Sequence, residues 1–351
     1  MSGNPDDAPT RAGIWPARLG AAFEGRAPLA AIPALARAAE AGGAGTLWIA
    51  SHLFLRDPIT TALVALQATE RLRVALMAMS PYAMHPVHIA MAAAALAELH
   101  PGRVVLCLGS GAPADRVAAG IEAPHPLAGL RDAVLMCRGL LAGETVRHEG
   151  RVFRLGGQRA LVNGGTGGGA TVPVVMAASK PRMLRLAGEV ADGVLLSAGA
   201  SEPFVRQCLD IVAEGAAGRP VARIGLVYAA HVAADGVPDA GAREAALAPV
   251  RRRLAFILRG EHHAGNLAAA GSVLDQAALM ALTQAGDWEG GMRLITDAVV
   301  ARHAAAGTPA EIAAAVASYR RAGLDEVALA GNEAVDGLAD TLRSAAAADG
   351  T

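Results

Sequence analysis

The sequence predicts an α/β fold, an eight-stranded (β/α)8 TIM barrel built as one domain over residues 1–351. Short apolar runs alternate with longer runs of helical periodicity along the whole chain. The short runs are apolar at nearly every position, which is typical of strands in a parallel sheet that is buried on both faces. Eight such runs fit a closed barrel better than a doubly wound open sheet. The open sheet should carry a G-x-G-x-x-G turn after its first strand, and none follows the run at 12–17.

The predicted elements follow from these runs and from the turn residues that end them. In chain order, the strands cover residues 12–17, 46–51, 72–80, 102–111, 172–179, 192–199, 223–233 and 326–331. Helical spacing predicts helices over residues 29–41, 58–70, 86–100, 130–141, 181–190, 202–213 and 309–322. Gly42-Gly43 end the first helix, and Asp57 followed by Pro58 begins the second as N-cap and first helical residue.

Two insertions interrupt the alternation, at about 142–170 and 239–297. Residues 142–155 are predicted to form a hairpin with Glu149-Gly150 at its turn. The glycine run at 164–170 fits a lid hinge or a surface loop, of which the loop is favoured. Residues 239–297 are mostly helical and are predicted to lie near the C-terminal face of the barrel, where such enzymes build substrate sites. Within them, His262-His263 lacks a third metal ligand and is interpreted as a solvated loop pair.

Composition excludes several classes of protein. Lys and Arg number 31 against 32 Asp and Glu, so no basic excess attracts nucleic acid or an anionic membrane. The most apolar stretch, 74–99, is broken by prolines and histidines and predicts no membrane span. The polar N-terminus predicts no signal peptide. We therefore expect a cytoplasmic protein without a metal site, in which Cys107, Cys137 and Cys208 are reduced core thiols.

Four segments in register resemble the luciferase-like flavin and deazaflavin oxidoreductases. They are LWIASHLFLRDP, ATERLRVALMAMSPYAMHPVHIAMAAAALAELHPGRVVLCLGSG, AASKPRMLRLAGEVADGVLL and AGTPAEIAAAVASYRRAGLDEVAL. Members of this family are TIM barrels that bind FMN or the deazaflavin coenzyme F420. The segments SPYAMHP and KPRMLRLAGEVADGVLL look most like the F420 branch, especially the methylenetetrahydromethanopterin reductase type.

The resemblance implies an oxidoreductase that transfers a hydride between the deazaflavin C5 and a small organic substrate, with a pterin-bound one-carbon unit as one candidate. One alternative within the fold is an FMN-dependent monooxygenase that reacts with oxygen. Another, from a different class, is a non-catalytic flavin carrier or sensor that kept the barrel and lost its acid–base groups.

The turn at Ala178, Ser179 and Lys180 raises the question of a phosphate site. By its residues alone it fits either a plain strand-to-helix connection or a phosphate cradle, because backbone N–H groups at a helix N-terminus bind anions. The resemblance implies the cradle, since this turn contacts the cofactor phosphate in the family. Many members have Gly where this chain has Lys180, so the ammonium is either an added cationic partner or a solvated side chain.

The resemblance also places the cofactor against the ends of the third and fourth strands. In the family, the third strand carries a bulge, often with a non-prolyl cis peptide, that supports the back of the deazaflavin ring. The corresponding bond here is Met77-Ala78, although members often have Gly at the first position. Ser80 stands where many relatives carry Asn and is expected to hydrogen-bond the ring. The glycine-rich end of the fourth strand is expected to approach the cofactor through its backbone, at Gly109, Ser110 and Gly111.

His52 is the candidate catalytic residue. It resembles the His of an acid–His pair in deazaflavin enzymes, with Ser51 at the acidic position. Histidine passes protons near neutral pH, so a proton relay and a positioning role are both open. A carboxylate that some relatives carry on the first strand is expected to be absent, because Trp15 or Pro16 would occupy its place. We therefore expect no acid beside His52.

We predict a homodimer or a larger homo-oligomer. The Ala-rich helices leave more apolar surface than a monomer of this size usually exposes, and members of the family are commonly oligomeric. Light scattering at micromolar protein measures the mass. A value near that of one chain, 35.4 kDa, would contradict the prediction.

Overall fold

The computed structural model describes residues 15–165, 172–232, 240–331 and 333–347. Eight parallel strands among them close into a barrel, and three further strands extend it or stand apart. The strands are β1 (Leu19–Phe23), β2 (Thr46–Ala50), β3 (Arg73–Met79), β4 (Val104–Leu108), β5 (Arg147–Glu149), β6 (Arg154–Gly156), β7 (Val174–Ala177), β8 (Gly193–Leu196), β9 (Ala222–His231), β10 (Ala304–Gly307) and β11 (Glu326–Ala330). The ring runs β1-β2-β3-β4-β7-β8-β9-β11 and closes where β11 pairs with β1. The predicted TIM barrel is therefore confirmed.

The predicted first strand is wrong. Residues 15–18 precede β1, which is Leu19–Phe23, and residues 12–14 lie outside the described part of the chain. The aromatic and apolar run at 12–17 suggested a strand, whereas the small residues of β1 have little strand propensity. Gly20 is nevertheless required, because a Cβ there would meet the Glu326 carboxylate. Six of the other seven predicted strands contain the observed one, and the predicted strand 223–233 covers all of β9 except Ala222.

The base of the barrel is closed by a buried carboxylate. Glu326, the first residue of β11, is fully buried and accepts hydrogen bonds from the indole N–H groups of Trp15 and Trp48. The Thr46 hydroxyl donates a third, at 3.2 Å. Burial raises the pKa of Glu326, although these donors and the nearby Arg73 guanidinium favour its charged form. Arg73 lies over the Trp15 ring, 4.2 Å from its centroid, so the cation also covers this end of the barrel.

The helices pack around the barrel and form the large insertion. In chain order they are α1 (Ile32–Ala41), α2 (Pro58–Ala68), α3 (Pro86–Leu99), α4 (Pro113–Ala118), α5 (Pro126–Leu141), α6 (Pro181–Val190), α7 (Glu202–Ala216), α8 (Ala240–Leu258), α9 (Ala264–Ala270), α10 (Gln276–Gln284), α11 (Trp288–Arg293), α12 (Asp297–His303), α13 (Pro309–Arg321) and α14 (Val335–Ala346). Asp57 is the N-cap of α2, as predicted, and accepts from the Thr60 amide. The three cysteines are buried free thiols, which agrees with core positions. Across the described residues, the helices are too short or too polar to cross a membrane.

The first insertion forms the predicted hairpin, but its turn is 150–153, since Glu149 lies in the strand and pairs with Arg154. Strands β5 and β6 pair antiparallel, and Asp132 of α5 fastens the connection between them. Its carboxylate accepts from the amides of Val152 (2.8 Å) and Phe153 (3.1 Å) and pairs with His148 at 3.0 Å. Burial alone would raise the pKa of Asp132, but these hydrogen bonds outweigh it and lower the pKa. Most of the glycine run at 164–170 lies outside the described residues, so its interpretation as a loop remains a prediction.

The second insertion is helical, as predicted, and follows the C-terminal end of β9. It extends beyond the predicted end at 297, because α12 runs to His303 and is followed by a strand that the sequence did not predict, β10; together the insertion comprises α8–α12 and β10. Tyr228 of β9 pairs with Ala330 of β11 on one side and with Ala304 of β10 on the other. The far half of β9 therefore joins the insertion to the barrel through main-chain hydrogen bonds. Ala304–Gly307 consists of small residues that carry no strand pattern, which explains why it was missed.

Side chains of the insertion also hold the loop that follows β8. The Gly199 carbonyl accepts from Asn266 Nδ2 (2.8 Å) and from His303 Nδ1 (2.9 Å). The Ser201 amide donates to Asn266 Oδ1 at 2.8 Å. The interpretation of His262-His263 as a solvated pair is wrong for His263, which is 5% exposed. Burial, with the neighbouring rings of His262 and His303, lowers the pKa of His263 to about 4.

We predict that His263 makes the fold sensitive to acid. An unfolded histidine titrates near pH ~6.5, so between there and pH ~4 the unfolded chain binds a proton that the folded chain does not. Stability should therefore be intact above this window and fall as pH decreases through it. Each pKa unit between the folded and unfolded states corresponds to ~1.4 kcal/mol, so we expect Tm to fall by a few degrees across this window. The fall in Tm should be smaller in His263→Gln. It should be unchanged in the exposed control His88→Gln. Equal slopes in wild type and His263→Gln would contradict this.

Candidate active site at the barrel mouth

The C-terminal ends of the strands form a mouth with a floor of small side chains. The inward-facing residues of the last layer include Ala22, Ala50, Ala177 and Ala330, beside Met77. Because side chains alternate between the two faces of a strand, the residues that follow this layer by two positions are placed to rim the mouth. Small floor residues leave room above them for a ligand.

Strand β3 is bulged at the mouth. Its register against β4 shifts between Leu76 and Met79, and the Met77-Ala78 peptide bond is cis. The Gly109 amide donates to the Met79 carbonyl at 3.1 Å, and a Cβ on Gly109 would lie 2.9 Å from the Cβ of Ala78. The bulge and the cis bond that the resemblance implied are thus present. The structure brings Met77, Ala78 and Gly109 together in one wall.

The same wall continues through Ser80 and the end of β4. Ser80 is buried, and its hydroxyl donates to the Ser110 carbonyl at 3.3 Å. Gly111 adopts a φ of +78°, and a Cβ there would lie 3.3 Å from Ser80 Oγ. Glycine is therefore required at 111 by backbone conformation and by the close approach to Ser80. We name the surface formed by Met77, Ala78, Ser80, Gly109, Ser110 and Gly111 the β3–β4 wall.

Helix α4, which the sequence analysis did not predict, adds two charged side chains beside this wall. Arg116 packs over Gly111, with Cδ 3.4 Å from the position of a Cβ there. Its Nε is buried without a hydrogen-bond partner, and no acid among the described residues lies within ion-pair distance of it. Such a donor points to a ligand that carries acceptors or negative charge. The one available sequence signal was Pro113, which opens the short helix after the glycines.

Asp115, the other charged residue of α4, pairs with His52. The His52 Nδ1 lies 3.5 Å from Asp115 Oδ2, and both side chains are partly exposed. The expectation that no acid lies beside His52 is therefore wrong. The acid comes from the loop after β4 rather than from position 51, so the pairing spans two strands and leaves no trace in local sequence.

The Ala178–Lys180 turn joins β7 to α6. The buried Ala178 amide donates to the Leu195 carbonyl at 3.0 Å, which fixes the start of the turn against β8. Ser179 and Lys180 are exposed, and Lys180 is the N-cap of α6 without a side-chain cap. A helix N-terminus with an adjacent hydroxyl and ammonium has the chemistry of a phosphate site.

Glu24 follows β1 and supplies an acid at the mouth. No carboxylate lies within β1 itself, as expected, but Trp15 and Pro16 precede this strand rather than lie on it. The Glu24 carboxylate accepts from Arg253 Nε of α8 at 2.6 Å. Tyr228 lies nearby, and burial, reinforced by the charge of Glu24, raises its pKa to about 12. Glu24, Arg253 and Tyr228 thus form a polar group on the β1–β9 side, across the barrel from the β3–β4 wall.

Comparisons with known proteins give consistent results. The model of the family described as luciferase-like monooxygenase matches residues 10–326. A 5,10-methylenetetrahydromethanopterin reductase of Methanolobus tindarius is 30% identical over 308 residues, which cover 86% of this chain and 90% of the relative. An F420-dependent glucose-6-phosphate dehydrogenase of Rhodococcus erythropolis is 33% identical over 183 residues, 50% of this chain and 53% of the relative.

Two solved structures show the same fold. The coenzyme F420 dependent tetrahydromethanopterin reductase of Methanopyrus kandleri superposes with a TM-score of 0.81 at 20% identity, covering 93% of this chain and 97% of the other. The FMN complex of a type II Baeyer-Villiger monooxygenase from Pseudomonas putida gives 0.64 at 17% identity, covering 93% and 96%. Since the family model spans most of the sequence and the barrel agrees, this chain belongs to the luciferase-like monooxygenase family.

Proposed function

We propose that this protein is a coenzyme F420-dependent oxidoreductase that transfers a hydride between the deazaflavin and a small organic substrate. A pterin-bound one-carbon unit is the first candidate, because relatives along most of the chain are methylenetetrahydromethanopterin reductases. The observation that carries the proposal is the β3–β4 wall. In this wall there is no space for a Cβ on Gly109. The Nε of Arg116, which has no hydrogen-bond partner, borders the wall.

The residues present fit such a cofactor. A flat ring needs a surface without projecting side chains, which Ala78 and Gly109 provide, and Ser80 and Arg116 offer polar groups at its edge. Ser179 and Lys180, with the start of α6, would hold the phosphate. When bound, the deazaflavin supplies the hydride chemistry, and the protein positions the reactants and excludes water.

The chain's own acid–base groups lie around this position. Opening a methylene bridge between two pterin nitrogens needs a proton at the nitrogen that is released, so a group that donates a proton must reach the mouth. His52, oriented by Asp115, is placed to relay a proton, and Glu24, at the end of the neighbouring strand β1, is placed to exchange one. Asp115 and Glu24 argue against the third alternative, a non-catalytic carrier, which was kept open because carboxylates were expected to be lacking at position 51 and on the first strand.

An FMN-dependent monooxygenase is the second candidate, because the family includes such enzymes and an FMN-bound neighbour shares the fold. The decisive experiment titrates the protein with coenzyme F420 and FMN side by side, then assays reduced F420 with methylenetetrahydromethanopterin. Tight binding of F420 and oxygen-independent turnover are expected. Preference for FMN with consumption of oxygen would overturn the proposal. We also propose that the enzyme works in the cytoplasm as a homo-oligomer.

For the phosphate site, we predict that Ser179→Asp weakens F420 binding at least tenfold, or ~1.4 kcal/mol, because it sets a carboxylate against the phosphate. Ser179→Ala is the matched control and should cost less. Lys180→Gly decides the role of the ammonium. Weaker F420 binding in this variant means that Lys180 is a cationic partner of the phosphate, and unchanged binding means that it is a solvated side chain. Unchanged affinity in a folded Ser179→Asp variant would move the phosphate elsewhere.

For the relay, we predict that His52→Ala lowers kcat about 10²-fold while the Kd for F420 changes little, since a relay acts in the transition state. Asp115→Asn should cause a smaller loss of kcat, because it removes only the orienting partner. His88→Ala, exposed on α3, is the control. A full kcat at saturation in His52→Ala, with weaker F420 binding, would assign His52 a supporting role.

A further inference from the structure

The backbone around Glu24 is held by the loop that follows β11. The Glu333 carboxylate accepts from the amide of Glu24 and from the amide of Ala27, at 2.9 Å for the second. One side chain thus bridges two N–H groups of the turn after β1. These two hydrogen bonds fix the backbone of Glu24 independently of the contacts of its side chain.

The side chain of Glu24 is held by the helical insertion. Arg253 Nε lies 2.6 Å from one carboxylate oxygen, and Nη2 lies 3.5 Å from the other. Nη1 of Arg253 donates to the Pro249 carbonyl within α8 at 3.4 Å, so the guanidinium is itself braced. The side chains are 25% and 27% exposed, which places the pair at the boundary between barrel and solvent. Two parallel donors impose a direction on a carboxylate that a single ammonium cannot.

Other charged groups near Glu24 do not reproduce this geometry. Arg26 approaches at 3.9 Å, but its side chain is 71% exposed. Tyr228 remains a neutral phenol, because burial raises its pKa to about 12. Arg252, next to Arg253 on α8, points elsewhere and lies over the Trp288 ring, 5.0 Å from its centroid. Arg253 is thus the residue whose guanidinium fork faces both oxygens of Glu24.

We propose that Arg253 is a positioning residue that aims the Glu24 carboxylate into the barrel mouth, so that the helical insertion completes the acid–base group of the active site. The proposal rests on the proposed function only in assigning Glu24 to proton exchange. The holding of Glu24 by Arg253 is a separate statement about geometry. A competing role, in which Arg253 anchors an anionic group of the substrate, predicts a raised KM at unchanged kcat in variants of Arg253.

The test uses Arg253→Met, Arg253→Lys, Glu24→Gln and the double variant Glu24→Gln/Arg253→Met, with Arg252→Met as the matched control. For each full-length protein, the Kd for F420, and kcat and KM with reduced F420 and methylenetetrahydromethanopterin, are measured. Crystal structures of wild type and Arg253→Met report the direction of the Glu24 side chain without any need for turnover.

We expect Arg253→Met to lower kcat about tenfold or more with KM and the Kd for F420 nearly unchanged, and Arg253→Lys to restore part of the loss. The double variant should be no slower than Glu24→Gln alone, because residues that act through one another are not additive. Arg252→Met should behave as wild type. In the Arg253→Met crystal, Glu24 should have turned from the direction that it takes in wild type.

Three results would overturn the inference: an unmoved Glu24 in the Arg253→Met crystal, a raised KM at unchanged kcat, or additive losses in the double variant. If wild type fails to bind F420 or to turn over the pterin, the proposed function fails by itself. The crystallographic comparison still decides whether Arg253 holds Glu24.

Discussion

The rest of the barrel depends on the hydrogen bonds that the buried carboxylate of Glu326 accepts. Burying an ionisable group at the base of eight strands makes folding less favourable unless hydrogen-bond donors surround the group. Trp15, Trp48 and Thr46 provide those donors, and they come from the segment before β1 and from β2. The contact therefore ties the last strand of the ring to its first elements. It also closes the N-terminal end, which leaves the opposite end of the barrel as the place for chemistry.

At that open end, two unlike surfaces face each other. On one side, the β3–β4 wall is built from backbone and small side chains, with Arg116 and the His52–Asp115 pair at its border. On the other side, Glu24 and Arg253 form an ion pair beside Tyr228. A flat, poorly ionised surface suits a planar cofactor, and an opposed charged pair suits proton exchange with a second reactant. We propose that the wall supports the planar cofactor and that His52 and Glu24, which follow the neighbouring strands β2 and β1, exchange protons.

Periodicity predicted the elements whose residues carry a strong local pattern, and failed where the pattern was weak. Strand β1 was misplaced because its glycine and alanines have low strand propensity, while Ile14 and Trp15 before it have high strand propensity. That single error concealed Glu24. Asp115, Arg116 and Arg253 were missed for another reason, since their roles depend on partners brought together by the ring and not by spacing; Arg253 and Glu24 are 229 positions apart. The residues of the β3–β4 wall were recognised because they lie in segments that resemble the family.

The pairing of β10 with the far half of β9 has a consequence for how the substrate site can diverge. Four residues of the insertion are joined to the barrel by main-chain hydrogen bonds, which do not depend on side-chain identity. The helices between β9 and β10 are thus anchored at both ends. The covalent chain joins them to β9 at one end, and the hydrogen bonds between β10 and β9 hold the other end. We propose that side chains of these helices other than Arg253, Asn266 and His303, which hold Glu24 and the loop after β8, can be exchanged without loss of this main-chain anchor.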